Sequence, residues 1–559
     1  MFTTNNKLII CIGFLVTYNA NAANIPNSGS LIQEVAPEAI PSETITPPRI
    51  TELNNGQKLK DETPFPIERI LLVGNQTFST ESLETVYQES ISNMMTLSQL
   101  QQICDLIGEY YHVHGYPLVR AVVPKQTLNN GTVKIQVIEP KLESTSTNNP
   151  SNRNTRLINE TLGGLAIDKN IRDSELERTL LLLSDLPGTE IEASLKPGGQ
   201  PGTTSLQIDV NDTLKVRSLV KLSNHGGESL NRERLTGIVQ IQNPFNIGDQ
   251  LDLSVITSGE PLGYGAIQYG AIINGQGTRI SGGASHLEYK LGKDLKSLDA
   301  HGDVTTAYAS ISHPFIRSYD NNVNGQLTFN YNQFNDLIDS TNTENDRDIN
   351  TVALSFSGRH NGAFSPQGKS YWSTTLINGK LDINNAASLT QDRLTSNAQG
   401  SFSALKFSFD HIEPISNDSS VTFSFDAQQA NTNLDSSQKI VLGGPNSIRA
   451  YDSSAVSGDT GYSASLSYQH TLARGSFGPV PGQVFADAGS VKLNKKPWGN
   501  ASSNNSLSIK GAGVGVNWYA PDQWRVKFLV ASKVGDKPDE LNDVDSSRAW
   551  FEISKEFAH

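Results

Sequence analysis

The stretch Tyr462-Ser-Ala-Ser-Leu-Ser-Tyr-Gln469 alternates an apolar or small residue with a polar residue at every step. A period of two residues is that of a β-strand whose two faces meet different environments. The same alternation recurs from about residue 214 onward, for example at 214–222, 235–241, 327–331 and 421–425. The chain is therefore predicted to form a long series of strands that each have one apolar and one polar face.

A soluble β-sandwich also alternates, but two features favour a membrane barrel. The pattern runs through about 345 residues, from 214 to 559, without a second class of core element. The chain ends on the alternating residues Phe551, Ile553, Lys555 and Phe557, a common way for outer-membrane barrels to close. At roughly 20 residues per strand and connection, this length predicts a transmembrane β-barrel of about 16 antiparallel strands.

Charge and hydropathy exclude two other classes of protein. The 559 residues carry a formal net charge of −13, and nucleic-acid binding instead requires clustered Lys and Arg. No run of 18 apolar residues follows the N-terminal segment, which argues against a helical membrane protein. Only alternate residues of a barrel strand face lipid, so a mean hydropathy of −0.36 is compatible with a barrel.

Residues 1–22 have the three parts of a secretory signal peptide. Lys7 supplies the charged end, residues 8–16 the apolar core, and Ala20-Asn-Ala22 the cleavage site. A retained N-terminal anchor is the alternative, although the apolar run is too short to span a bilayer. Cleavage would remove Cys11 and leave only Cys104, so that neither an intrachain disulfide nor a cysteine-paired metal site could form.

Three regions separate the signal from the barrel. Residues 23–63 predict a short helix at 30–35, stopped by prolines, and then a flexible linker. Residues 64–143 predict the order β-α-α-β-β, and residues 144–212 repeat much of it. The chain is therefore predicted to carry two small α+β domains in tandem before a barrel at 213–559.

One charge pair stands out within the barrel region. Leu442-Gly-Gly-Pro-Asn-Ser-Ile-Arg-Ala-Tyr451 places Arg449 in a loop, and Phe485-Ala-Asp-Ala-Gly489 places Asp487 in a short apolar strand. Two unrelated loop charges are the alternative. The functional hypothesis puts Arg449 in the lumen, held by Asp487 on the wall, because a planar guanidinium can grip a carboxylate with two hydrogen bonds. In a wet lumen such a pair would position a loop rather than stabilise the barrel.

No motif predicts catalysis, a metal or a cofactor. The segment 362–370 has five residues between its glycines where a phosphate loop has four, and no Gly-x-Ser-x-Gly elbow occurs. His112 and His114 lie at a predicted helix end and are interpreted as solvent-exposed. The glycines of Gly511-Ala-Gly-Val-Gly515 fall on one side of a strand and would permit close packing or bending.

These residues resemble the outer-membrane transporters of two-partner secretion (TpsB type), relatives of the hemolysin-activator and filamentous-hemagglutinin transporters. Ile448-Arg449-Ala450-Tyr451 is similar to the family's Val-Arg-Gly-Phe/Tyr tetrad, at the tip of a loop that folds into the barrel. Phe485, Asp487 and Gly489 are similar to the wall motif that holds the arginine. Ala450 replaces the usual glycine, which would be penalised if the turn needs a positive φ.

The resemblance extends to the N-terminal half and implies a function. The β-α-α-β-β modules resemble POTRA domains, and residues 28–34 resemble an N-terminal plug helix. The resemblance implies an outer-membrane protein with POTRA domains in the periplasm. They would receive a large unfolded exoprotein (an adhesin, hemolysin or contact-dependent toxin carrier), which crosses to the cell surface through the lumen that the plug vacates.

The other expected partner is outer-membrane lipid; no nucleic acid is expected, and the chain would act as a monomer. A barrel-assembly factor of the same superfamily is the main alternative, although such proteins usually carry more POTRA modules and no detachable plug. A diffusion porin would have no reason to carry two periplasmic modules.

Overall fold

A computed structural model describes residues 25–35, 50–52, 62–128, 130–499, 501, 504–535, 538, 541 and 545–558. The predicted signal peptide, 1–22, and most of the predicted linker lie outside these residues. No helix in the described part combines the length and apolar character that crossing a membrane requires.

Helix α1, Ser28–Glu34, forms where the sequence predicts a short helix. Its start is a reciprocal capping box, since the Asn27 side chain accepts from the Ser30 backbone and the Ser30 hydroxyl accepts from the Asn27 backbone. The next described element is the strand β1, Ile50–Glu52.

The first small module contains the predicted β-α-α-β-β order together with two short additional strands. Its elements are β2 (Phe65–Pro66), β3 (Arg69–Val73), α2 (Thr80–Tyr87), β4 (Met94–Met95), α3 (Leu97–Val113), β5 (Arg120–Val122) and β6 (Thr132–Ile138). Strand β3 pairs parallel with β6, and β5 pairs antiparallel with β6. The apolar face of α3, including Leu100, Ile103 and Cys104, is buried against this sheet.

The second module repeats this topology. Its elements are β7 (Lys141–Asn148), α4 (Thr155–Leu162), α5 (Asp173–Ser184), β8 (Thr189–Pro197) and β9 (Thr203–Asp212). Strand β7 pairs parallel with β9, β8 pairs antiparallel with β9, and β1 adds in parallel to the outer edge of β8. The predicted boundary at 143/144 falls inside β7. The Ser- and Thr-rich, largely exposed sequence of β7 concealed the strand.

Sixteen strands of the described chain close into the barrel that the sequence predicts. In chain order the remaining elements are β10 (Val216–Ser223), β11 (Arg234–Gln242), β12 (Asp249–Thr257), β13 (Leu262–Ile272), β14 (Arg279–Lys290), β15 (Ala300–Arg317), β16 (Asn321–Ile338), β17 (Thr343–Asn361), β18 (Lys369–Ile383), α6 (Ala386–Leu394), β19 (Gly400–Ser416), β20 (Ser419–Ala430), β21 (Ile440–Leu442), β22 (Val456–Gly458), β23 (Thr460–Ala473), β24 (Val480–Lys492), β25 (Ser506–Ala520), β26 (Trp524–Lys533) and β27 (Ser547–Ala558).

All neighbouring barrel strands are antiparallel, and β10 pairs with β27 to close the barrel. The hairpin β21–β22 forms a separate two-stranded sheet that is not hydrogen-bonded into the ring of barrel strands. The closed antiparallel barrel and its predicted number of strands are therefore confirmed.

The second module lies against one mouth of the barrel. Asn154 and Glu160 bond to the turns that follow β11 and β13, through Asn246 and Gly275. We call this end the module-side mouth. Short turns connect the strands there, whereas the loop between β20 and β23 spans residues 431–459 and leaves from the opposite mouth.

Candidate functional site

The loop 431–459 folds back into the barrel, and we call it the folded-in loop. It turns after β21 at Gly443 (φ 106°) and Gly444 (φ 95°), a backbone region that side chains other than glycine rarely adopt. Its tip is enclosed: Ile448 and Ala450 are 0% exposed, and Tyr451 is 1% exposed. A loop tip this deeply buried is held inside the protein.

The tip is a four-residue turn. The Tyr451 amide donates to the Ile448 carbonyl at 3.1 Å, and the Gly444 amide donates to the Tyr451 carbonyl at 3.1 Å. Ala450 is not among the described residues with positive φ. A type II turn needs a positive φ at its third residue, so this turn is of another type that accepts alanine without strain.

Arg449 and Asp487 meet at the wall. The Nε and Nη2 atoms of Arg449 donate to the two carboxylate oxygens of Asp487, at 2.9 and 2.6 Å. The Arg449 backbone amide donates to the same carboxylate at 3.0 Å, and the Ser465 hydroxyl donates to it at 2.8 Å. The Asp487 side chain is fully enclosed. The carboxylate therefore orients both the guanidinium and the backbone of the turn.

The other two wall residues shape the space beneath the loop. The Arg449 guanidinium carbon lies 3.4 Å from the centroid of the Phe485 ring, a cation–π contact. A Cβ built on Gly489 would lie 2.9 Å from a Leu442 methyl and 3.3 Å from an Ile448 methyl. Gly489 therefore lets the loop approach the wall more closely than a side chain would allow.

Sequence reasoning missed Gly511 as part of this contact. A Cβ built on Gly511 would lie 2.5 Å from the Cβ of Ala450, well inside van der Waals contact. The glycines on one side of β25 were visible in the sequence. The sequence did not show which residues contact that face of the strand. The absence of a side chain at Gly511 is what accommodates the methyl group of Ala450.

Strand β27 and the loop after β10 hold the other side of the tip. The indole Nε1 of Trp550 donates to the Arg449 carbonyl at 2.7 Å. Asp452 pairs with Arg232 at 2.6 Å and lies 3.6 Å from Arg548. These contacts join residues roughly 100 or more positions apart, so no local pattern could reveal them.

Helix α1 also lies within the barrel. The backbone amide and the hydroxyl of Ser28 each donate to Asp336 on β16 at 2.8 Å. Arg347 on β17 pairs with Asp336 at 2.6 Å and with Asp435 of the folded-in loop at 2.7 Å. One buried arginine thus links the wall, the helix site and the loop.

The opposite end of α1 has its own anchor. Glu34 pairs with Arg234 on β11 at 2.7 Å, with both side chains largely buried. Leu31 and Val35 are each 1% exposed and pack into the apolar cluster of the lumen. The sequence predicted the helix, whereas its wall partners required the tertiary structure.

One cluster of possible metal ligands occurs in the described chain. Asp299, His301 and Asp339 bring one ligand atom each within 4.8 Å of one another. The Lys290 ammonium lies 2.7 Å from Asp299 and supplies the positive charge there. We assign no metal to this cluster.

Comparison with known proteins identifies the family of this chain. The profile of the family "Haemolysin secretion/activation protein ShlB/FhaC/HecB" matches residues 202–518, and that of the "POTRA domain, ShlB-type" matches residues 65–140. The heme/hemopexin transporter protein HuxB of Haemophilus influenzae (strain 86-028NP) is 25% identical over 98% of each chain.

Solved structures share the fold. CdiB from Escherichia coli superposes with a TM-score of 0.68 at 17% identity, covering 92% of this chain and 94% of that one. BamA from Haemophilus ducreyi, lacking POTRA domains 1–3, superposes with a TM-score of 0.54 at 13% identity, covering 88% and 100%. With the family match over more than half of its length, the chain belongs to the haemolysin secretion/activation family ShlB/FhaC/HecB, the two-partner secretion transporters of the outer membrane, with its POTRA domain in the periplasm.

Proposed function

We propose that this transporter secretes one large exoprotein, unfolded, through a lumen that α1 vacates. The observation that carries the proposal is that elements outside the barrel strands fill the lumen. Helix α1 is attached to the wall by a few polar contacts, at Ser28 and Glu34, and by two buried apolar side chains. Because the closed barrel does not need α1 to complete its strand pairing, the helix can leave without opening the barrel.

We assign the second module, residues 141–212, as a second POTRA domain. It repeats the β-α-α-β-β order of residues 65–140, and in both sheets the last strand pairs with the first and second strands. The proposed division of the chain is thus a signal peptide at 1–22, the plug and linker, two POTRA domains and the barrel.

The modules are suited to receive an extended chain. In the described first sheet, β3 and β5 are the outer strands, and backbone groups at such edges can bind an added strand with little demand on its sequence. No nucleotide motif occurs in the sequence, so folding of the exoprotein outside the cell would supply direction. The exoprotein would be an adhesin, a hemolysin or a carrier of a contact-dependent toxin.

The Arg449–Asp487 pair is proposed to hold the folded-in loop in place during transport. The same pair positions the turn 448–451 against the wall through three hydrogen bonds to one carboxylate. Its role is to fix a conformation, because the barrel is already closed by strand pairing. The transporter acts as a monomer whose outer surface contacts lipid.

One observation favours secretion over barrel assembly. A factor that inserts other proteins into the membrane must let them pass sideways between strands. Here β10 and β27 pair from Arg217–Ala558 to Ser223–Glu552. Arg217 also pairs with Glu556 across this seam.

The test is secretion of the cognate exoprotein, compared with assembly of other outer-membrane barrels. Deleting residues 64–211 is expected to abolish secretion and leave a folded barrel. A disulfide across the seam, from Leu222→Cys and Ile553→Cys, is expected to leave secretion unchanged, since these paired residues lie within disulfide range. Loss of many outer-membrane barrels after the deletion, or blocked activity after seam cross-linking, would favour the assembly factor instead.

A further inference from the structure

Three arginines line the module-side mouth of the barrel. Arg279, Arg317 and Arg359, on β14, β15 and β17, border one open cavity of about 500 Å³. Among the described lining residues, Asp185 at the end of α5 is the acidic one. The cavity is therefore lined by an excess of positive charge.

The strand register directs two of these arginines inward. Arg347 on β17 and Tyr289 on β14 both bond to Asp336 beside the plug helix, so both face the lumen. Arg359 lies twelve residues after Arg347, and Arg279 lies ten residues before Tyr289. Neither strand has a register shift with either neighbour, so side chains at even separations share one face.

Arg317 already has a full set of partners. Its Nε and Nη2 atoms donate to the two oxygens of Asp185 at 2.8 and 2.7 Å, and Nη1 donates to Asn322 at 2.8 Å. This arginine joins the second module to the mouth of the barrel, and it neutralises the negative charge of Asp185.

The other two arginines keep donors available. Arg359 donates from Nη2 to the Tyr319 carbonyl at 2.8 Å, but its buried Nε has no partner among the described residues. The Arg279 side chain has no hydrogen bond or ion pair with the described residues, although its backbone belongs to the β14 ladder. The acids that influence it electrostatically, Asp252 and Asp249, accept bonds from other groups. The buried Nε of Arg359 is costly without a partner, and the partly exposed guanidinium of Arg279 has no counter-charge bonded to it. Both arginines therefore favour a ligand that accepts hydrogen bonds.

We infer that Arg279 and Arg359 bind carboxylate groups on an acidic segment of the polypeptide as it enters the barrel. The planar guanidinium matches a carboxylate, and the cavity lies at the junction of POTRA module and lumen that an entering chain must pass. This inference rests on the proposed function and adds to it a chemical preference of the entrance. A free oxyanion such as phosphate offers the same hydrogen-bond acceptors, and the test distinguishes its binding from that of an acidic peptide.

The test uses the full-length protein in detergent and a fluorescent penta-glutamate peptide, followed by anisotropy. Penta-glutamine is the matched neutral peptide, and inorganic phosphate is the competitor. The double variant Arg279→Gln/Arg359→Gln is expected to weaken penta-glutamate binding about tenfold or more, because it removes charge-assisted hydrogen bonds. Arg474→Gln is the matched control, since Arg474 is exposed and pairs with Asp418 in a turn at the same end of the barrel.

Equal binding by the double variant and the wild type would overturn the inference, as would equal affinity for penta-glutamine. Phosphate that binds as tightly as penta-glutamate would also overturn it, because the site would then take any oxyanion. Heat-modifiable migration of the double variant shows that its barrel is folded. The proposed function fails separately, if deletion of residues 64–211 leaves secretion intact.

Discussion

Trp550, on the last barrel strand, donates its indole N–H to the backbone carbonyl of Arg449 at 2.7 Å. The side chain of the same arginine is held by Asp487 on β24, three strands away around the ring. The turn 448–451 is thus attached to two sides of the barrel. The backbone carbonyl of Arg449 is bonded to β27, and its side chain is bonded to β24. This double attachment explains how a long loop can keep a fixed place in an otherwise water-accessible lumen.

Trp550→Phe is expected to loosen the tip while keeping an aromatic ring in place. Loss of one hydrogen bond should cost about 0.5–1.5 kcal/mol, which raises exposure of the tip by roughly 2- to 13-fold. Maleimide labelling of a Ser447→Cys reporter measures this exposure. Burial raises the pKa of the native Cys104 thiol to about 12, so Cys104 should stay unlabelled. An unchanged labelling rate would show that the indole bond does not hold the loop.

Arg449→Ala and Asp487→Ala are expected to reduce secretion of the partner strongly, at normal barrel levels. Each variant leaves the other half of an enclosed pair without its counter-charge, which costs about 3–5 kcal/mol for a buried pair. Secreted protein is measured by immunoblot, and the barrel by heat-modifiable migration. Normal secretion by both variants would refute the proposed role of the pair.

Gly511→Ala is expected to displace the tip, and Ala450→Gly is expected to restore it. The added methyl would lie 2.5 Å from the Ala450 methyl, and removing that methyl frees the space. Overpacking of this kind costs about 1–3 kcal/mol. The Ser447→Cys reporter measures the release in the single and double variants. Gly263→Ala is the control, because nothing lies within 4 Å of its new Cβ. A double variant as exposed as Gly511→Ala would contradict the proposed contact.

Gly29→Val is expected to expel helix α1 from the lumen without changing the wall. A Cβ at this position would already lie 2.3 Å from the Ser436 hydroxyl and 2.9 Å from the Ser437 amide. Planar-bilayer conductance of the purified protein should rise toward that of a variant lacking residues 25–35. Conductance equal to wild type would mean that the helix stays seated despite the clash.

Glu139→Gln is expected to destabilise the first module at neutral pH. Burial raises the pKa of Glu139, but bonds from Tyr111, Thr77 and Gln76 outweigh it and hold that pKa below its usual value. A carboxylate with a lowered pKa stabilises the fold above its ordinary value, near 4.5, and this contribution disappears as the pH falls through the lowered value.

The expected cost of Glu139→Gln at pH 7 is about 1–3 kcal/mol, and the difference from wild type should shrink in acid. Urea unfolding followed by circular dichroism at 222 nm measures it, with the exposed Glu84→Gln as control. A difference that does not change between pH 7 and pH 4 would contradict the ionised state of Glu139.

Local patterns carried the prediction of the barrel and of the helices in the first module. Thr96 and Gln99 lie three residues apart, and their reciprocal capping needs no information from elsewhere in the chain. By contrast, β7 was missed because its residues are Ser, Thr and Asn on a largely exposed surface, where no apolar period remains. Ala450 raised a question about the turn that only backbone angles could answer, and its φ is not positive.

The sequence by itself predicted a barrel of about 16 strands, because strand period is a property of neighbouring residues, and the family resemblance of residues 448–451 pointed to Arg449. Only the tertiary structure decided that Gly511 lies under Ala450, that Trp550 binds the backbone of Arg449, and that Arg347 joins the wall to the loop. Closure of the barrel brings together side chains far apart in the chain. Such contacts depend on strand register and loop path, which no local pattern records.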